Sequence, residues 1–172
     1  MLRTAILSTV LIAGGVMARA DTVKQTTRIE IDTAIDLPAP VDAVWRVLTD
    51  IDAYPQWNPY HVHVEGVLQR GRKLTVKIVK PNGNSLTIHP RVLELEENRS
   101  LVWGGGPAGL FRGVHWFDLD PINPGCTRLH HTEVFSGLFV SYAELDAIEP
   151  GYERMNQALK ARLSDVGTAT GC

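Results

Sequence analysis

Between residues 26 and 137 the sequence alternates short β-prone runs with turn signals, and this series constrains the fold more than any other feature. The runs span residues 26–37, 61–68, 73–80, 85–96, 100–104, 110–120 and 127–137. Each is rich in β-branched and aromatic residues and is bounded by Gly, Pro or Asn. The clearest breaks are Arg70-Gly71, Pro81-Asn82-Gly83-Asn84, Glu97-Asn98 and Pro121-Ile122-Asn123-Pro124-Gly125, which suit consecutive antiparallel hairpins. A closing helix is predicted over 149–166, with Met155, Leu159, Leu163 and Val166 on one face and Gly167 as its stop. Such a helix is roughly 25 Å long, enough to lie across a sheet. Seven strands in one antiparallel sheet with segregated helices make an α+β domain. A sheet of that width twists and curls, and a concave face only partly filled by one helix leaves a cavity.

Residues 37–59 read LPAPVDAVWRVLTDIDAYPQWNP. Pro40 suits the first helical position, where a missing N–H is harmless, and Val41, Val44, Trp45 and Leu48 follow at helical spacing. Asp50 or Asp52 can cap a second short helix, and Pro55 and the Asn58-Pro59 step return the chain to extended conformation. Downstream come Leu93-Glu94-Leu95, Asn98-Arg99, Leu101-Val102-Trp103, Gly109-Leu110-Phe111-x-Gly113-x-His115-x-Phe117, Glu133-x-Phe135-Ser136-Gly137 and Met155-Asn156-x-Ala158-Leu159-Lys160. In this order the motifs resemble the START/Bet v 1-like superfamily of polyketide cyclase/dehydrase-type proteins over residues 28–166. The resemblance implies a helix-grip fold: one curved antiparallel sheet of about seven strands around a long C-terminal helix, two short helices after the first strand, and a cavity for an apolar ligand. It speaks weakly to function, since one such fold hosts many chemistries.

The first 20 residues have the form of a secretory signal: Arg3, an apolar run from Ala5 to Val16, and Ala18-Arg19-Ala20 as a small-x-small cleavage site. A single domain from Asp21 to Cys172 is expected to remain, secreted or periplasmic, with no membrane span after cleavage. Loss of Arg3 and Arg19 leaves 15 basic and 19 acidic residues, a net charge of −4. Nucleic acid is therefore not an expected partner. The basic run Arg70, Arg72, Lys73, Lys77 and Lys80 alternates with Leu74, Val76 and Ile78, as a strand with a solvated face does. Export permits a disulfide between Cys126 and Cys172, the only cysteines. If the last strand starts near Thr127 and the final helix runs back antiparallel to it, the tail returns toward Cys126. Two free thiols are the alternative.

Candidate chemistry gathers in the hairpin of residues 110–137. Phe111, Gly113, His115, Phe117 and Leu119 share one face of its first strand, and Leu129, His131, Glu133 and Phe135 one face of its second. Both faces are apolar apart from the histidines and the carboxylate, which assigns them inward. A turn centred near Asn123 pairs His115 with His131, Phe117 with Leu129 and Gly113 with Glu133. His115, His131 and Glu133 are the candidate catalytic residues. A His–Glu pair supports general acid–base work, two histidines and a carboxylate can hold a metal, and the groups can also simply satisfy one another or orient a ligand. No established metal-binding spacing, nucleotide fingerprint or nucleophile elbow is present, and no cofactor or metal is expected.

The resemblance further implies a ligand wall of Trp57, Trp103, Phe111, His115, Phe117, His131, Phe135, Met155 and Leu159, with plain core packing the alternative for Trp57 and Trp103. His61, His63, His89 and His130 are expected at the surface, Trp45 in the core and Trp116 on the outer face. The Gly104-Gly105-Gly106-Pro107-Ala108-Gly109 loop reads as a flexible hairpin or a gate over the cavity. Three functions follow: an exported protein holding a lipid-, sterol- or polyketide-like molecule, a polyketide cyclase or dehydratase using a His/Glu pair, and an interaction module using Trp116.

Overall fold

The computed structural model describes residues 26–165 and Cys172; the signal sequence expected over residues 1–20, together with Val166 and Gly167, lies outside them. Strand β1 (Arg28–Leu37) leads into α1 (Val41–Thr49), a 3-10 turn (Ile51–Ala53) and the short α2 (Tyr54–Trp57). Strands β2 (His61–Gly66), β3 (Leu74–Val79), β4 (Ser85–Ile88), β5 (Arg91–Glu96), β6 (Ser100–Gly105), β7 (Arg112–Asn123) and β8 (Cys126–Ser136) follow, and α3 (Ile148–Asp165) closes the series. The sheets are antiparallel, five strands in the order β1-β8-β7-β6-β5 and three in the order β2-β3-β4. Backbone bonds from Gly71 N and Leu74 N to the carbonyls of Val92 and Pro90 stitch the two across their corner.

An eighth strand arises because the single run expected over 85–96 breaks at His89-Pro90. Pro90 has no N–H to give a ladder and restricts His89 before it, so the chain turns there from one sheet to the other. In α1 the apolar stripe faces inward, with Val44, Trp45 and Leu48 buried. Pro40 sits one position before the helix, at the N-cap, where its carbonyl accepts from the amides of Ala43 and Val44. Asp50 occupies the N-cap of the 3-10 turn without a side-chain capping bond.

The β7–β8 hairpin pairs two residues away from the expected register. Its turn is Pro124-Gly125, with an irregularity between Pro121 and Asn123. His115 lies opposite Glu133, Phe117 opposite His131, and Gly113 opposite Phe135. A shift of two preserves side-chain parity. His115, Phe117, Leu119, Leu129 and His131 therefore all point inward and are buried, as expected. Trp116 is half-buried on the other face.

Helix α3 lies along the concave side with Tyr152, Met155, Leu159 and Leu163 fully buried. Pro150 falls in its first turn, where no N–H is needed. Gly151 lets the helix approach the Tyr60 ring so closely that any Cβ there would collide with it. Cys126, at the start of β8, is disulfide-bonded to Cys172 across a separation of 46 residues. Among the described residues no helix is long and apolar enough to cross a membrane.

Candidate functional site

At the corner between the sheets the core opens into a cavity of about 280 Å³. It is lined by Ile88, His89 and Pro90, by Trp103 and Gly104-Gly105-Gly106, and by Phe111, Gly113, Glu133 and Phe135. Larger depressions, about 710 Å³ beside β1 and α3 and about 640 Å³ around Pro81 and Glu144, are open surface clefts of mixed lining away from the buried histidines. The glycines follow from close approach: a Cβ on Gly113 would sit 2.8 Å from Glu133 Oε1 and 3.2 Å from the Phe135 ring. A larger residue there would displace the carboxylate and fill the cavity.

Of the residues expected at the wall, Trp103, Phe111 and Phe135 line this cavity, and so does the candidate catalytic residue Glu133. His115, Phe117, His131, Met155 and Leu159 do not, and all are buried behind it. The reason is Tyr152. Its ring stacks on His131 at 3.9 Å and on His115 at 5.1 Å between centroids, so α3 fills the space in front of the histidines. Trp57 lies elsewhere, half-buried with its ring edge-on to Tyr54.

Behind the wall the hydrogen bonds dictate the tautomers. The Trp103 indole can only donate, and it reaches His115 Nδ1 at 3.2 Å. His115 is therefore neutral with its proton on Nε2. Thr33 Oγ1 donates to the His131 carbonyl and accepts from Asn156 Nδ2, which turns Asn156 Oδ1 toward His131 Nδ1 at 2.7 Å. His131 consequently carries its proton on Nδ1 and a bare lone pair on Nε2. The two imidazoles are stacked, 4.7 Å between centroids and 9° between planes.

A third histidine belongs to this cluster. His61 was expected at the surface, but a bulge between His61 and His63 turns it inward, 1 % exposed and 5.2 Å from the His115 ring. Burial drives His61 and His131 down to about 3. His115 is held well below its ordinary value by burial and by the other two rings. His63 remains exposed beside Glu65, and exposed His89 bonds Thr75.

Glu133 behaves in the opposite sense. Burial raises its carboxyl to about 7, although a hydrogen bond donated by the Tyr152 hydroxyl to Oε2 works against the rise. What exposure it keeps faces the cavity that it lines. Tyr152 is pushed well above its usual value, first by burial and then by the neighbouring carboxylate. Sequence reasoning missed Tyr152, His61 and Asn156. Tyr152 stands three residues before Met155 and seven before Leu159, so extending the apolar face of α3 by one turn reaches it. Among the described residues no group of three or more His, Cys, Asp or Glu is placed to hold a metal ion.

Curved antiparallel sheets of five and three strands gripping one long helix, with a small apolar cavity at the corner between them, define a helix-grip domain. The chain belongs to the family described as polyketide cyclase / dehydrase and lipid transport, whose model matches residues 28–164. No curated protein matches the sequence significantly. Among solved structures, a START superfamily protein from Mycobacterium smegmatis is 20% identical, with a TM-score of 0.62 over 80% of this chain and 98% of that one. The Zhui aromatase/cyclase from Streptomyces sp. R1128 is 16% identical, with a TM-score of 0.66 over 80% and 94%. The di-domain aromatase/cyclase StfQ of the steffimycin pathway is 12% identical, with a TM-score of 0.65 over 82% of this chain and 52% of its own. At these identities the likeness speaks for the fold.

Proposed function

We propose that this protein binds a small hydrophobic molecule in the cavity at the sheet corner, with Glu133, held by the Tyr152 hydroxyl, as the polar contact. The observation that carries this reading is the cavity itself: Ile88, Pro90, Trp103, Phe111 and Phe135 around one carboxyl group. Apolar walls with a few converging polar groups characterise small-molecule sites. A volume of about 280 Å³ compares with roughly 150 Å³ for an engineered cavity that takes up benzene. It suits a bicyclic skeleton better than a full sterol. His115 and His61 back the wall against the Trp103 ring, and Tyr152 covers His115 and His131.

The same reading has the mature chain exported to an extracellular or periplasmic space, supported by the leader-like residues 1–20 and by the disulfide, which suits an oxidising compartment. Ile88, half-buried on short β4 at the cavity wall, gives a direct test. Ile88→Trp is expected to fill the cavity and weaken 2-naphthalenemethanol at least tenfold in a tryptophan-fluorescence titration, with the melting temperature little changed. Unaltered affinity would sink the assignment.

A second reading, proton-transfer catalysis of the cyclase or dehydratase type, is favoured by one observation. Glu133 lies on the cavity wall with its carboxyl raised to about 7, where a single side chain exchanges protons readily at neutral pH. A bicyclic ketone such as 2-tetralone then provides a substrate mimic. Its α-deuterium exchange, followed by NMR, is expected to accelerate as the pH rises through about 7 and the carboxylate forms. Glu133→Gln should abolish the acceleration. Persistence in that variant would assign the chemistry elsewhere.

A further inference from the structure

We propose that the head group recognised in this cavity is a protonated nitrogen, so that the ligand class is a small aromatic or alicyclic amine. The inference rests on the cavity being the binding site and goes beyond it by choosing among neutral, anionic and cationic ligands. Glu133 is the only carboxyl on the lining, and neither Lys nor Arg lines it. Within the protein its hydrogen-bond partner is the Tyr152 hydroxyl, and it takes part in none of the ion pairs of the described residues. His115, opposite it across β7 and β8, is neutral: Trp103 holds its Nδ1, and its Nε2–H has no hydrogen-bond partner among the described residues. The imidazole of His89, at the exposed side, is turned to Thr75.

A carboxyl enclosed in apolar surroundings without a counter-ion is unfavourable unless something supplies the charge or the proton. The Tyr152 bond to Oε2 favours the ionised form, leaving Oε1 above Gly113. A cationic nitrogen placed there would pair with Oε1. The rings of Trp103, Phe111 and Phe135 surround the same space, and aromatic faces attract a desolvated cation. An anionic head group would meet the carboxylate with no positive charge to offset it.

The test is an isosteric series of three probes, 2-naphthylmethylamine, 2-naphthalenemethanol and 2-naphthoate, titrated against the full chain at pH 7.5 by tryptophan fluorescence and calorimetry. The amine is expected to bind at least tenfold more tightly than the alcohol, and the carboxylate not measurably. In Glu133→Gln the amine should lose its advantage over the alcohol, and far-UV circular dichroism checks that the variant is folded. An alcohol that matches the amine in the native protein, or a carboxylate that binds as well, overturns the proposal and leaves the cavity reading standing. Failure of all three probes removes the cavity reading and the proposal with it. The native series decides the question even if the variant does not fold.

Discussion

Urea melts recorded between pH 7 and pH 4.5 are expected to show stability falling by about 3 kcal/mol per pH unit below pH 6.5, with cooperative acid unfolding near pH 5. The slope is set by the buried histidines. His61 and His131 are depressed to about 3 and His115 lies well below its ordinary value, so all three are neutral in the folded chain. A depressed folded value means that their stabilising contribution is complete above the unfolded value of about 6.5. It is lost progressively as the pH falls below it. Glu133 works in the other direction. Its folded value, raised to about 7, keeps it protonated in the fold at pH values where the unfolded carboxyl is ionised. Its contribution is complete below its unfolded value and disappears as the pH rises through 7.

Between roughly pH 4.5 and 6.5, unfolding thus takes up three protons on histidine and releases one from Glu133. A net uptake of two protons, each about 1.4 kcal/mol per pH unit, removes roughly 5 kcal/mol over that interval. This is comparable to the whole stability of many domains. His131→Phe should halve the slope, because one of the two net protons goes with it. A flat profile from pH 7 to 5 would mean that the three rings are solvated or already charged in the native state.

How much of this was legible in the sequence differs from one feature to the next, and each difference has a physical source. The α1 stripe, the Pro-rich corner after it and the closing helix rest on local spacing and turn chemistry, and they form where the residues indicate. Parity in β7 and β8 is also local, which is why His115, Phe117 and His131 point inward. Register is not local. The stretch from Pro121 to Gly125 offers more than one turn centre, and the irregularity between Pro121 and Asn123 selected a pairing that brings His115 opposite Glu133. A bulge likewise turned His61 from the surface into the core.

The division between cavity lining and backing wall was not legible at all, because it depends on how deeply α3 sits. That depth follows from Gly151 admitting Tyr60 and from Tyr152 stacking on two imidazoles. Tyr152 thereby separates two sets of ionisable groups on one sheet face. The histidines pack against its ring, buried and neutral, and Glu133 accepts from its hydroxyl and lines the cavity. The first set governs acid stability and the second the chemistry available to a ligand.

Removal of the disulfide is expected to lower stability by about 4 kcal/mol, since a cross-link closing a loop of this length restricts the unfolded chain by that order. For a chain of this size the loss corresponds to a fall of roughly 10 °C in melting temperature. The bridge spans 46 residues that include most of β8 and all of α3, the two elements that carry His131, Glu133, Tyr152 and Asn156. Cys126→Ala, Cys172→Ala and reduction of the native protein should give the same decrease. If Cys126→Ala alone is destabilising, the buried side chain at the start of β8 matters and the cross-link does not. The acid profile provides an independent readout of the same quantity. With a slope of about 3 kcal/mol per pH unit, loss of the bridge should move the acid midpoint upward by about one pH unit without changing the slope, because no titrating histidine has been removed. A changed slope would show instead that reduction loosens α3 and readmits water to the histidine cluster.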